Sequence, residues 1–503
     1  MGSEADNASN VAPRSSLNAV KWNYAGNLGR AGIQFVIGIV LARLLGPEPF
    51  GLVAVASLIL GLGALFADFG LASALVQRKD ITTHDVRYVF TLQALFGLLL
   101  TLVLELFTGP IAAFFKRPDA VAVLHAMFLM FVIQGLGQTS FALLRRRLDF
   151  KLLQMSQLAS YLIGYVAIGL PLALMGLGVW SLVLAQLSQT ALATIIAYAL
   201  VRHSIVPTFK GRTDGFLQFG LTVTLTNLNN WGLACLDTVV IGRMFPTAQL
   251  GLYNRAFSLV AMPTYNIVAS IQNVLFSASA RMQDDTERLR RTYLTALGVI
   301  GLICLPMFLV VAAVARTMIA GVYGTAWLEA VPILVPIALA MPFSALMGLG
   351  GPVMSGAGRA DFEMRIQFIS LLVYVPLLYW AAHMTIVAVA WAVLTSYLVR
   401  FFLVTSVTLR LLQARWSEVL TVLAGPLALG ALCAALAYAI DLAFARAALS
   451  PSLQLLVIFV SSACSVVGLL LAGQRWILTR DMAQLLSKAM SALPRPVRHL
   501  IVA

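Results

Sequence analysis

About fourteen apolar segments, each long enough to cross a bilayer, run through this 503-residue chain and leave little sequence for anything else. A hydrocarbon core is spanned by roughly 20 apolar residues in a helix. Leu52–Leu65, Leu92–Phe107 and Leu455–Leu471 supply such stretches with few or no charges. Only 11% of residues are charged, whereas a soluble domain carries about 25%. The mean hydropathy of +0.91 agrees. The expected fold is therefore an all-α integral membrane protein, and the prior of roughly three soluble domains that length alone suggests is set aside.

The segments fall at about 18–44, 50–77, 87–115, 120–146, 151–174, 178–201, 214–242, 250–280, 291–315, 330–355, 362–382, 386–410, 417–440 and 453–474. The positive charges between them are one-sided. Connections that follow odd segments hold six cations: Arg43, Lys116, Arg117, Arg243, Arg316 and Arg446. The other connections and both tails hold twenty-five, and three more (Arg30, Arg255, Arg400) lie inside segments. Basic residues keep loops cytoplasmic, so both termini are predicted to face the cytoplasm, and an even helix count fits. The net charge of +14 is thereby explained without a nucleic-acid partner. The N-terminus lacks the pattern of a secretory signal. The outward loops are short, so the function is expected to lie within the membrane.

Shifting the chain by 200 residues aligns two regions without a gap. Asn27 meets Asn227, Gly32 meets Gly232, Arg43 meets Arg243, and Gly51-Leu52 meets Gly251-Leu252. A shift of six helices preserves orientation, which predicts a parallel repeat about an axis along the membrane normal. The domain organisation read from it is a tail at 1–17, an N-lobe of six helices at 18–212 and a C-lobe of six at 213–412. Helices 13 and 14 follow at 413–474. The basic tail at 475–503 carries Met482, Leu485, Leu486, Ala489, Met490 and Leu493 on one helical face. That pattern reads as an interfacial helix on the cytoplasmic leaflet, with a frayed tail as the alternative.

Several stretches resemble one family. They are 40–53 (VLARLLGPEPFGLV), 66–71 (FADFGL) with 77–80 (QRKD), 145–150 (RRRLDF), 236–243 (LDTVVIGR) with 250–255 (LGLYNR), and 283–291 (QDDTERLRR). As a set they are similar to the Wzx-type polysaccharide flippases of the multidrug/oligosaccharidyl-lipid/polysaccharide exporter superfamily, over roughly residues 15–412. The resemblance implies a V-shaped bundle of two lobes around a central cavity. It also implies movement of an undecaprenyl-pyrophosphate-linked oligosaccharide from the cytoplasmic to the outer leaflet of a bacterial inner membrane. Membrane lipids, a polysaccharide polymerase and a chain-length regulator are the partners it implies; no cofactor is expected.

A flippase for such a head group needs a hydrated polar path with cations for the pyrophosphate. In the first segment Asn23, Asn27, Arg30 and Gln34 follow i, i+4, i+7, i+11 and share one helical face. A central charge costs about 2.5–3.5 kcal/mol on insertion scales, and arginine binds phosphate bidentately. The alternative for Arg30 is a lock to Asp68. In the eighth segment Arg255, Ser258, Asn266, Ser270 and Asn273 recur at helical spacing, with Gln272 beside them and Pro263 within. The resemblance places arginines of the first and eighth helices in the cavity, making Arg30 and Arg255 the candidate cation pair; Arg255 as a snorkelling residue is the alternative. The seventh segment offers Asn227 and Asn230 for sugar hydroxyls, or for interhelical hydrogen bonds. Asp68 and Asp237 are candidates for ion coupling or charge balance. Gln134 with Gln138, and Gln154, Gln157 and Tyr161, form smaller stripes that either line the cavity or pack.

No phosphate loop, HExxH or GxSxG motif occurs, so no enzymatic activity is expected. Five scattered histidines form no metal-ligand pattern, and the four cysteines lie in apolar segments without a CxxC, which reads as small core residues. Two other readings compete. An ion-coupled small-molecule or drug exporter of the same superfamily would want a more apolar cavity with an acidic site, against which Arg30 argues. A membrane glycosyltransferase, polymerase or ligase would want a sizeable outward loop or an outer acidic pair.

Overall fold

Each predicted segment has its own long helix in the computed structural model, which describes residues 13–67, 71–78, 80–209, 216–282, 285–445, 450–473, 477–479 and 481–483. The helices are α1 (Pro13–Leu45), α2 (Pro47–Ala67), α3 (Thr83–Phe114), α4 (Ala120–Arg146), α5 (Phe150–Leu174), α6 (Val179–Val201) and α7 (Phe216–Met244). They continue as α8 (Thr247–Arg281), α9 (Thr286–Ala313), α10 (Val331–Met347), α11 (Ala360–Ala382), α12 (Ile386–Leu411), α13 (Trp416–Ala445) and α14 (Pro451–Ala472). Local chemistry sets the ends. Gly46, at φ +73°, lets the chain turn so that Pro47 can open α2. Thr82 and Asp85 form a reciprocal capping box at the start of α3.

Among the described residues, twelve spans are long and apolar enough to cross a membrane. α1 and α7 are not among them, although their 33 and 29 residues are long enough. These two are the repeat-related helices in which the sequence concentrates asparagine, threonine and Arg30. The side chains of parts of both helices lie outside the described residues.

The chain divides into two compact units, Met1–Gly251 and Leu252–Ala503. In the first, close helix crossings are built on glycine. A Cβ on Gly97 of α3 would stand 2.4 Å from the Phe131 carbonyl oxygen of α4, and one on Gly135 would stand 2.5 Å from that of Gln93. Backbones approach this closely only where side chains are missing. Polar groups bridge the same seam: Thr139 donates to Gln93 Oε1 at 2.7 Å, and Thr101 to the Phe128 carbonyl at 3.0 Å. The first turns of α2 and α8 meet in the same unit. A Cβ on Gly51 would lie 1.9 Å from the Thr247 carbonyl oxygen, and one on Gly251 would lie 1.9 Å from that of Pro47. Residues 200 apart in sequence thus make reciprocal contacts. Arg243 donates to the Phe114 carbonyl and covers the Phe114 ring at 4.5 Å. A cation at the C-terminus of α3 is favourable and needs no substrate.

Beyond the end of α6, His203 is buried against Phe90 and Tyr198, with Nε2 3.0 Å from Ser140 Oγ. Burial holds its imidazole below the ordinary value of 6.5. An unfolded chain therefore takes up this proton first, and the associated stability is present above about pH 6.5 and lost as pH falls through that value. The thermal midpoint of detergent-solubilised protein is expected to fall between about pH 7 and pH 5, and to fall less in His203→Gln. Equal acid sensitivity in the variant would dismiss His203 as the cause.

In the second unit α9 and α13 are the principal pair. Gly298, Gly301 and Gly430 admit the facing chain, and Arg290 of α9 binds Glu418 of α13 through Nε at 2.9 Å and Nη2 at 2.6 Å. Leu302, Val310, Val422, Leu429, Cys433 and Ile458 form their shared core with α14. Met482, assigned from sequence to the face of an interfacial helix, is instead fully buried in this core. Gly298 leaves a socket that the methionine sulfur fills. Leu485, Leu486, Ala489, Met490 and Leu493 lie outside the described residues.

Candidate functional site

The polar face of α1 meets α5. Gly26 removes the side chain that would collide with Gln154; a Cβ there would come within 2.6 Å of Gln154 Cγ. The glutamine amide then donates to Asn27 Oδ1 at 3.0 Å. Arg30 donates to Gln157 Oε1 and, at 3.5 Å, to Asn27 Oδ1. The two stripes that the sequence offered separately, Asn27/Arg30 and Gln154/Gln157, are therefore one cluster. Two turns beyond Gln154, Tyr161 stacks on Tyr165 at 4.6 Å, where α5 enters a π-helical stretch, Leu162–Gly169. Such stretches are rare and concentrate at functional sites.

The chemistry of the cluster follows from its composition. Among the described residues, no carboxylate lies within ion-pair distance of Arg30. Its positive charge is oriented by neutral amide oxygens but not neutralised by them. A guanidinium has five N–H donors, and an anion can still use those that the amides leave. Gln34 is half-buried on the same helix. The side chains of Asn23 and Asn227, and Asp68 entirely, lie outside the described residues. Asn230, at the repeat position of Arg30, is exposed. Asp237 is only 5% exposed and accepts from its neighbour's Thr238 backbone N–H at 2.7 Å and hydroxyl at 3.3 Å.

On α8 the predicted polar face is partly spent on its own backbone. Ser258 donates to the Asn254 carbonyl, Asn266 to Met262, and Ser270 to Asn266, each four residues back. Arg255 is half-buried, and its carbonyl accepts from Tyr323 at 3.5 Å. It belongs to the second unit, Arg30 to the first.

Asn273 lines a cavity of about 430 Å³ within the second unit. The cavity sits where α10 stops at Met347 and a short helix, Gly350–Gly356, resumes. Pro352 has no N–H to offer the carbonyl four residues back, that of Gly348. Gln272 of α8 donates to that carbonyl instead, at 2.6 Å. Ser355, Glu363, Gln367 and Arg400 complete the polar lining. Sequence reasoning counted Arg400 inside a helix without giving it a role, and passed over Glu363 and Gln367. The readable signal was the breaker run at 348–352 (GLGGP), because membrane binding sites favour interrupted helices.

The helical architecture with these polar sites inside apolar bundles defines a multi-pass membrane protein of the transporter class. The fold is that of solved transporters: "Lipid II flippase MurJ, inward closed conformation" superposes with a TM-score of 0.68 at 13% identity, covering 91% of this chain and 99% of that one. A family model described as "Polysaccharide biosynthesis protein" matches residues 40–332. The chain belongs to this family. Among relatives, the "Succinoglycan biosynthesis transport protein ExoT" of Rhizobium meliloti (strain 1021) is 30% identical over 68% of this chain and 69% of its own. The "Lipopolysaccharide biosynthesis protein WzxC" of Escherichia coli (strain K12) is 26% identical over 72% and 74%. The resemblance read from the motifs is thus met at the level of family.

Proposed function

We propose that this protein is a flippase that carries an undecaprenyl-pyrophosphate-linked oligosaccharide repeat unit across a bacterial inner membrane, from the cytoplasmic to the outer leaflet. Both termini face the cytoplasm in this reading, as the charge bias between segments requires. Family membership and a relative named for succinoglycan transport support the substrate class. The observation that carries the reading is Arg30, a cation inside the first predicted membrane segment, oriented by Asn27 and Gln157 without a carboxylate among the described residues. A charge so placed is costly unless a ligand uses it. Arg30 takes the pyrophosphate, Arg255 is a further candidate cation in the second unit, and the amides of Asn27, Gln34, Asn227 and Asn230 serve the sugars. The prenyl chain stays in lipid while the two lobes alternate in access. Asp237 balances charge.

The test is leaflet accessibility of the lipid-linked oligosaccharide in cells with and without the gene. Outward exposure should depend on the protein. Unchanged exposure, in a strain without a second flippase, would sink the substrate class. An altered drug susceptibility in the same deletion strain would then favour the exporter reading.

A further inference from the structure

The polar groups around the second unit's cavity do not match a simple ion. Arg400 and Glu363 both line it, yet lie too far apart for an ion pair. Ser355 donates to Glu363 at 3.3 Å, and the electrostatic neighbours of Arg400 are Tyr397, Tyr374, Tyr265 and Glu363. A phosphate would meet repulsion from Glu363, and a metal cation repulsion from Arg400. A ligand whose groups both donate and accept would satisfy the pair. Hydroxyls do so, and the amides of Asn273 and Gln367 offer the same dual character. The backbone is open here for the same end. A Cβ on Gly351 would stand 2.8 Å from Glu363 Oε1, so glycine keeps the carboxylate at the cavity wall. The volume of about 430 Å³ lies within the range of small-molecule pockets and suits about one or two sugar residues.

We infer that this cavity is a carbohydrate subsite, in which Arg400, Glu363, Gln367 and Asn273 hydrogen-bond the hydroxyls of the translocated oligosaccharide. The identity of the sugar rests on the flippase reading above; the subsite itself does not involve Arg30 or Arg255.

The experiment uses full-length protein in lipid nanodiscs, with its four cysteines replaced by alanine and Ser355→Cys introduced. A small maleimide reports access to the cavity. The probes are oligosaccharide released by mild acid from the cell's lipid-linked fraction, and inorganic pyrophosphate. Oligosaccharide should slow labelling by about fivefold or more, roughly what one good hydrogen-bonding site supplies. Pyrophosphate should not. Glu363→Gln and Gln367→Ala should each remove most of the protection. No protection by oligosaccharide, or equal protection by pyrophosphate, overturns the assignment. So does failure of Ser355→Cys to label in sugar-free protein, because the cavity is then closed to solutes. Protection by sugar in a protein whose deletion leaves leaflet exposure unchanged would retain the subsite and discard the flippase. Leaflet dependence without protection would do the reverse.

Discussion

Arg30→Ala is expected to lower outward exposure of the lipid-linked oligosaccharide by about tenfold or more, at unchanged protein level. Hydrogen bonds to a charged group contribute about 1.5–3 kcal/mol each, and about 1.4 kcal/mol is a factor of ten. Arg30 is tied to α5 through neutral partners, so alanine leaves no buried carboxylate without its cation among the described residues. Transport should suffer more than folding. Arg30→Lys should fall between, since lysine keeps the charge but loses the planar fork. Arg255→Ala should also reduce transport. Leaflet accessibility beside an immunoblot separates the two effects, and normal transport by both alanine variants would end the cation-path reading.

Gly51→Val and Gly251→Val are expected to abolish most of the folded protein. Either Cβ would land 1.9 Å from a backbone carbonyl oxygen of the partner turn, and backbone cannot step aside as a flexible side chain can. Overpacking usually costs about 1–3 kcal/mol and sometimes more; two interlocked backbones belong at the upper end. Gly29→Ala and Gly32→Ala are the controls. Among the described residues, nothing stands within 4 Å of a Cβ at either position, and alanine is the better helix former by about 1 kcal/mol. Monodisperse yield on size exclusion should collapse for the first pair and hold or rise for the second. Survival of Gly51→Val at normal yield would contradict the reciprocal packing.

These glycines also mark the boundary of what the sequence could tell. Gly32/Gly232 and Gly51/Gly251 match equally well in the 200-residue repeat. Only the folded chain distinguishes a pair with no described residue against it from a pair wedged against carbonyls. The polar stripes behave likewise. The i, i+4, i+7 spacing places Asn27 and Arg30 on one face. It cannot say that the face meets Gln154 and Gln157, more than a hundred residues on. On α8 the spacing grouped Ser258, Asn266 and Ser270 with Asn273. The structure turns the first three onto their own helix and leaves Asn273 in the lining of the cavity that Arg400 also lines.

The sequence by itself determined the helices, their order and the positions of their polar faces. Hydrocarbon leaves a backbone no partner but itself, so each apolar run of sufficient length must become a helix, and the period of that helix assigns the faces. The tertiary structure decided which faces meet, which glycines are steric necessities and where a cavity opens. Apolar surfaces are nearly alike to one another in lipid. Pairing is settled by close packing and by interhelical hydrogen bonds between distant residues, and neither leaves a periodic trace along the chain.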